Sequence, residues 1–263
     1  MDMRNRPIGF FDSGVGGISV LKQAVAILPN EDYVYFGDSI KAPYGVKNHD
    51  EIKKLTFDAV KFLLNKDIKA LVVACNTATS VAIEDLRKKY TGIMPIVGIE
   101  PALKPAVEFK SQGKIIIMAT PVTLLEDKFN NLMKKYSNKH KIQKMPCPGL
   151  VELIEEGITC GERVEEYLKE KFLPFKDDEI AAVVLGCTHY PFIKNTLSKV
   201  LNEMDKKVPI IDGSIGTVNQ LKRQLLKYDI KCLDNNRVGN VKIFNSLNTD
   251  NIIKLSYKLL KSQ

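Results

Sequence analysis

Leu71-Val72-Val73-Ala74-Cys75-Asn76-Thr77-Ala78-Thr79 is an apolar run that ends on a cysteine, followed at once by an amide and hydroxyls. A short apolar run with β-branched residues is the pattern of a buried strand, and the polar cluster after it marks the turn at its carboxyl end. Open parallel α/β sheets bind ligands outside those carboxyl ends. Cys75 therefore falls where such folds do chemistry. The pattern returns about one domain length later in Ala181-Ala182-Val183-Val184-Leu185-Gly186-Cys187-Thr188-His189-Tyr190-Pro191. A single free cysteine behaves as a small buried hydrophobe. Two in matching contexts, each followed by hydrogen-bonding groups, point instead to paired thiol chemistry.

Outward from these two stretches, strands alternate with helices. Ile8-Gly9-Phe10-Phe11 runs into Asp12-Ser13-Gly14-Val15-Gly16-Gly17, after which Ile18, Leu21, Ala24, Val25 and Leu28 recur at helical spacing. Strand, glycine-rich turn and helix form the layout that binds anions at a helix N-terminus. It is not the dinucleotide fingerprint, because the third glycine of GxGxxG would fall at Ser19, and it is not a P-loop, because no Gly-Lys-Ser/Thr follows. Asp12 would repel a phosphate, which favours an amine or a proton-handling role. Tyr33 to Asp38 reads as a strand, Asn48 caps a helix with Glu51 three residues on, and a helix runs from about Thr77 to Tyr90. Further strands are expected at 95–99, 114–119, 142–145, 209–212 and 241–244, with helices opening after Thr120 and over 150–156, 161–171, 191–201, 216–227 and 252–260. The alternation predicts an α/β protein with parallel sheets, and the repeat of the cysteine strand suggests two similar halves.

With 263 residues the chain has room for one large domain or two modest ones, and 44% hydrophobic with 27% charged residues is a globular composition. Arg4 and Arg6 precede an apolar run too short for a signal-peptide core, and no stretch reaches the length of a membrane span. A cytoplasmic protein with no membrane contact is expected. The five cysteines (Cys75, Cys147, Cys160, Cys187, Cys232) include no CxxC pair, and the three histidines are scattered, so no metal site is expected and reduced thiols are the default. Cys160 and Cys232 lie outside any motif and read as structural. The net charge of +8 is spread over mixed-sign helix faces. The basic run from Lys134-Lys135 through Lys139-His140-Lys141 to Lys144 lacks a nucleic-acid signature, so nucleic acid is not an expected partner. An anionic small substrate suits the charge as well.

Taken together, Asp12-Ser13-Gly14-Val15-Gly16-Gly17, Gly37-Asp38, Pro43-Tyr44-Gly45, Ala74-Cys75-Asn76-Thr77-Ala78, Glu100-Pro101 and Gly186-Cys187-Thr188-His189-Tyr190-Pro191 resemble the bacterial glutamate racemases of the aspartate/glutamate racemase superfamily, in family order and over nearly the whole chain. The resemblance implies two pseudo-symmetric open parallel-sheet α/β domains with the active site between them, here 1–99 plus 211–263 and 100–210. It implies a racemase without cofactor that interconverts L- and D-glutamate and supplies D-glutamate for peptidoglycan; a homodimer is expected. Cys75 and Cys187 would be the two bases, Cys75 acting on D-glutamate with Asp12 assisting, and Cys187 on L-glutamate with His189 assisting. Ser13, Pro43, Tyr44, Gly45, Asn76, Thr77, Thr120, Thr123 and Thr188 would hold the substrate together with Asp12 and His189. The family's functional glutamate, eight positions after Cys147, matches Glu155, but Glu152 stands where the family often has proline, and the choice between them is open. Aspartate racemases share the two-cysteine plan but not this set of motifs. A protein that binds glutamate without turnover has no need of paired thiols.

Removing one α-proton and returning another on the opposite face is what such thiols can do with the substrate held still. The thiolate is the reactive form of cysteine, and a free thiol titrates near 8.5. In each direction one sulfur must be thiolate and the other thiol, and they exchange roles after each turnover.

Overall fold

The computed structural model describes residues 2–262 apart from 101, 109–111, 138 and 139, and apart from the side chain of 128. Pro101 and Lys139, named above, lie outside the described residues. The strands are β1 (Ile8–Asp12), β2 (Tyr33–Gly37), β3 (Ala70–Val73), β4 (Ile96–Gly98), β5 (Lys114–Ala119), β6 (Lys141–Pro146), β7 (Ile180–Leu185), β8 (Ile210–Asp212) and β9 (Val241–Asn245). The helices are α1 (Ile18–Ile27), α2 (His49–Leu64), α3 (Asn76–Lys89), α4 (Leu103–Glu108), α5 (Pro121–Leu125), α6 (Asp127–Ser137), α7 (Leu150–Glu155), α8 (Glu162–Phe172), α9 (Lys194–Glu203), α10 (Ser214–Lys227) and α11 (Asp250–Lys261). Short 3₁₀ turns cover Ser39–Lys41, Tyr44–Val46 and Tyr190–Ile193.

The chain divides into two compact units, Met1–Glu100 with Ser214–Gln263, and Pro101–Gly213. The first holds a parallel five-stranded sheet in the order β4-β3-β1-β2-β9. The second holds a parallel four-stranded sheet in the order β6-β5-β7-β8. β8 pairs with β7, so Ile211 and Asp212 stand in the second unit and the return to the first begins at Ser214, not at 211. At the other crossing, Glu100 closes the first stretch of unit one and does not open unit two. The later crossing differs by three residues because Ile211 and Asp212 pair with β7, which local pattern does not report. Nor does the sequence pattern mark α4, with Pro105 inside it, or α6 as separate helices.

The two central strands show why their stretches read so clearly. All four residues of β3 and all six of β7 are buried, and strands covered on both faces become continuous apolar runs. In the first unit α1 packs against α10 and α11, the helices of the chain's last segment. α2 lies along β1 and β2, and its Phe62 meets Phe36 of β2 and Phe244 of β9 at ring separations of 4.5 and 5.5 Å. At the amino end of this sheet Lys69 is fully buried, its Nζ 2.5 Å from Glu31 Oε2 and 2.6 Å from the Arg4 carbonyl. Glu31 Oε1 accepts the Cys232 N–H at 2.8 Å. Four separate segments meet at this pair, and removing either charge would strand the other in a dry site, a cost of about 3–5 kcal/mol. Among the described residues no helix is long and apolar enough to cross a membrane.

Candidate active site

In the first unit the predicted site residues gather at the carboxyl ends of β1, β2 and β3. Asp12, the last residue of β1, is fully buried and its Oδ1 accepts the Gly14 N–H at 2.9 Å. The glycines of this turn serve close packing. A Cβ on Gly17 would lie 2.6 Å from Asp12 Cβ and 3.0 Å from Ala74 Cβ, and one on Gly37 would lie 2.3 Å from the Gly14 carbonyl oxygen. Only without side chains can the Asp12 turn settle between the ends of β2 and β3, which brings it beside Cys75.

Cys75 is the N-cap of α3. Its sulfur accepts the Ala78 N–H at 3.4 Å and its thiol reaches Ser13 Oγ at 3.5 Å. The first N–H groups of a helix and its dipole favour negative charge at this place. Asn76 is 5% exposed, and its side-chain Oδ1 is buried without a hydrogen-bond partner. An unmatched acceptor in a buried site costs about 1–3 kcal/mol, which a bound N–H donor would recover. Thr77 is buried beside it.

The loop after β2 brings in Pro43, which follows a cis peptide, and the buried Tyr44 and Gly45. The Tyr44 hydroxyl donates to Asp38 Oδ2 at 2.9 Å. Burial first, and then the charges of Asp38, Cys75 and Asp12, push its pKa up, so the phenol stays a neutral donor. Sequence reasoning misses Asp38 as a site residue; its place at the end of β2, matching Asp12 at the end of β1, is the available signal.

In the second unit the groups gather at the carboxyl ends of β5 and β7. Cys187, Thr188 and His189 follow β7 and all are buried. The Cys187 sulfur lies 3.7 Å from His189 Nδ1, and His189 Nε2 lies 2.5 Å from Glu155 Oε1 at the end of α7. Glu155 is the glutamate that reaches the histidine, while Glu152 is exposed. Thr120 caps α5 by accepting the Thr123 N–H at 3.4 Å, and the two hydroxyl oxygens are 2.9 Å apart. Thr120 and Thr123 are both buried. The two settings are not copies of each other: a helix N-terminus supports the Cys75 sulfur, and an imidazole with a carboxylate behind it supports Cys187.

Burial alone would lower the pKa of His189, but the hydrogen bonds and charges of Cys187 and Glu155 outweigh it and raise it well above the ordinary 6.5. A base with a raised folded pKa contributes stability that is whole below about pH 6.5 and is lost as pH rises through the folded value. We therefore expect nitrogen-15 NMR to place the His189 titration above the ordinary imidazole value of 6.5. Glu155→Gln, which removes the carboxylate and leaves the burial, should bring its titration down. A wild-type His189 that titrates at or below 6.5 would contradict this arrangement.

The other cysteines have different surroundings. Cys147 is buried, burial pushes its thiol up to about 12, and its Sγ donates to the Met145 carbonyl at 3.4 Å, so it stays a neutral thiol. Cys232 is buried at the Glu31 pair, but Cys160 is exposed, so packing does not give it the structural role expected of it. Lys144 of the basic run is bound to the Leu124 carbonyl at 2.8 Å and to Asn130 Oδ1 at 2.6 Å. Among the described residues no group of three His, Cys, Asp or Glu could hold a metal ion.

Residues 14–221 match the family model for Asp/Glu/Hydantoin racemases. The glutamate racemase of Clostridium kluyveri is 69% identical over 261 residues, 99% of this chain and all of the relative. Two solved structures have the same fold over nearly the whole chain. That of glutamate racemase from Francisella tularensis with D-glutamate is 30% identical at a TM-score of 0.83, covering 99% of this chain and 95% of that one. That of Escherichia coli glutamate racemase with L-glutamate and the activator UDP-MurNAc-ala is 28% identical at a TM-score of 0.81, covering 97% and 94%. On its matched residues, its fold and its likeness to these relatives, the chain belongs to the Asp/Glu racemase family.

Proposed function

We propose that the protein is a glutamate racemase that works without a cofactor, by proton transfer between Cα and two thiols. The observation that carries the reading is the matched setting of Cys75 and Cys187. Each is buried, each follows a buried parallel strand, and each has a proton-handling or charge-stabilising group at hand. From L-glutamate, Cys187 as thiolate takes the α-proton and Cys75 as thiol returns one to the other face; D-glutamate reverses the roles. The His189 imidazolium, held by Glu155, stabilises negative charge on Cys187; the first N–H groups of α3 do so for Cys75, and Asp12 assists beside that sulfur as a proton-accepting carboxylate. Glu155, not Glu152, is the functional glutamate in this reading, because only it is in contact with His189.

The α-proton is far less acidic than a thiol, so the developing carbanion must be stabilised by fixed donors. Such donors are worth roughly 3–4 kcal/mol each when aimed at forming charge. Ser13, Tyr44, Gly45, Asn76, Thr77, Thr120, Thr123 and Thr188 provide hydroxyl, amide and backbone groups for two carboxylates and an ammonium. The unmatched Asn76 Oδ1 is suited to the ammonium. The family likeness supports the wider reading of a cytoplasmic homodimer that supplies D-glutamate for peptidoglycan.

The test is to incubate the purified chain with L-glutamate, free of pyridoxal phosphate, and to follow optical rotation with D-amino-acid detection. We expect an equal mixture of enantiomers from either starting material, and aspartate turned over at least about 100-fold less efficiently. No conversion would overturn the function, and equal efficiency on aspartate would overturn the substrate.

A further inference from the structure

The first unit's site is built partly from the far end of the sequence. β9 is the edge strand beside β2, with Gly37 paired to Asn245. Asn245 and Ser246, at its carboxyl end, meet the loop that leaves β2 and carries Asp38, Tyr44 and Gly45. Asn245 is 6% exposed; its Nδ2 donates to Ser39 Oγ at 2.8 Å and its Oδ1 accepts the Leu247 N–H at 3.0 Å. Ser246 donates its backbone N–H to the Gly37 carbonyl at 2.9 Å and accepts the Ile40 N–H on Oγ at 2.9 Å.

The loop needs such an anchor. From 38 to 48 its regular structure is two single 3₁₀ turns, and its apolar side chains Ile40 and Val46 are 53% and 64% exposed, so they fasten little of it by burial. Its inner side, by contrast, carries the buried Tyr44 hydroxyl on Asp38. Asp38 immediately precedes Ser39 and Ile40, the two residues that the tail grips. A shift of that grip moves Asp38 and, through its carboxylate, the phenol.

We propose that Asn245 and Ser246 are positioning residues for the substrate loop: they fix Ser39 and Ile40, and so set Asp38, Tyr44 and Gly45 for substrate binding. The proposal rests on the reading that Tyr44 and Gly45 hold the substrate. A group that acts by holding the binding loop contributes alike to substrate and transition state, and its loss raises KM with little change in kcat.

The experiment compares Asn245→Ala, Ser246→Ala and the double variant with Thr249→Ala. Thr249 caps α11 in the same tail through the Ile252 N–H, an interaction that involves neither Ser39 nor Ile40. We expect the double variant to raise KM for both enantiomers about tenfold, about 1.4 kcal/mol of binding, with kcat within threefold of wild type. Thr249→Ala should lower the Tm and leave KM within twofold. Amide hydrogen exchange supplies a readout free of catalysis: Ser246→Ala should speed exchange at Ile40. Should Asn245→Ala fail to fold, Ser246→Ala, at a half-buried position, decides alone, with a KM rise of at least threefold expected.

KM within twofold in every variant that folds overturns the proposal, as does a Thr249→Ala variant that raises KM as much as the double variant. Unchanged exchange at Ile40 also overturns it. A wild-type chain inert toward glutamate would overturn the reading of the site on which the proposal rests, and the Ile40 exchange rate would still decide whether the tail holds the loop.

Discussion

Cys187→Ala is expected to lower racemisation in both directions by at least about 10⁴-fold, and Cys75→Ala to do the same, with the fold retained. Each turnover needs one sulfur as base and the other as acid, so the loss of either stops both directions. A 10⁴-fold loss is about 5.5 kcal/mol of barrier, the scale of a missing general base together with its supporting charge. The structural cost is much smaller. Cys75→Ala removes an N-cap that accepts one N–H of α3, about 1 kcal/mol. Cys187→Ala leaves a small gap beside His189, in a core region closed by Tyr190 and Leu185. Circular dichroism and thermal unfolding would confirm that both variants fold, and initial rates from each enantiomer give the effect. Either variant racemising within tenfold of wild type would sink the two-base reading.

The second expected result separates the two sulfurs. A glutamate that carries a hydroxyl on its amino nitrogen needs only one base. Once the α-proton passes to a thiolate, the C=N bond forms, the N–O bond breaks, and hydroxide leaves. Serine keeps the shape of cysteine but is a much weaker acid, so Cys→Ser removes most proton transfer and little else. Cys75→Ser should slow elimination from the D-substrate by a factor of about 100 or more and spare the L-substrate; Cys187→Ser should do the reverse. His189→Ala should follow Cys187, because its Nδ1 faces that sulfur, and Asp12→Asn should follow Cys75. The measurement is the elimination rate for each enantiomer with each of the four variants. Equal losses on both enantiomers in all four would mean that the sulfurs do not divide the faces of Cα.

Much of the ground for these expectations is legible in the amino-acid sequence. β3 and β7 are buried on both faces, so their stretches are unbroken apolar runs, and the turn beyond each is polar, as suits a turn that faces a ligand. Thr120 and Asn48 are readable as caps, since capping is local, and both accept the expected N–H three residues on. What cannot be read is long-range. Glu152 and Glu155 are one helical turn apart, and only the packing of α7 decides which of them meets His189. Asp38 acquires its partner through a loop that folds back on itself by six residues. The grip of Asn245 on Ser39 spans most of the chain, and no spacing rule reaches that far. The pairing of β8 with β7 shifts the domain crossing for the same reason.

The first unit's discontinuity also bears on how the protein is made. Synthesis runs from the amino end, so residues 101–213 emerge as one uninterrupted piece with every strand of their sheet, while the earlier unit still lacks β9. Until residue 245 leaves the ribosome, β2 is an open edge with unpaired N–H and C=O groups, and an open edge is a template for wrong partners. Nascent chains from which residue 213 but not residue 241 has emerged would therefore hold a finished second unit and a sticky first one. The same late-arriving strand brings Asn245 and Ser246 with it, so the grip on the loop that carries Tyr44 forms last.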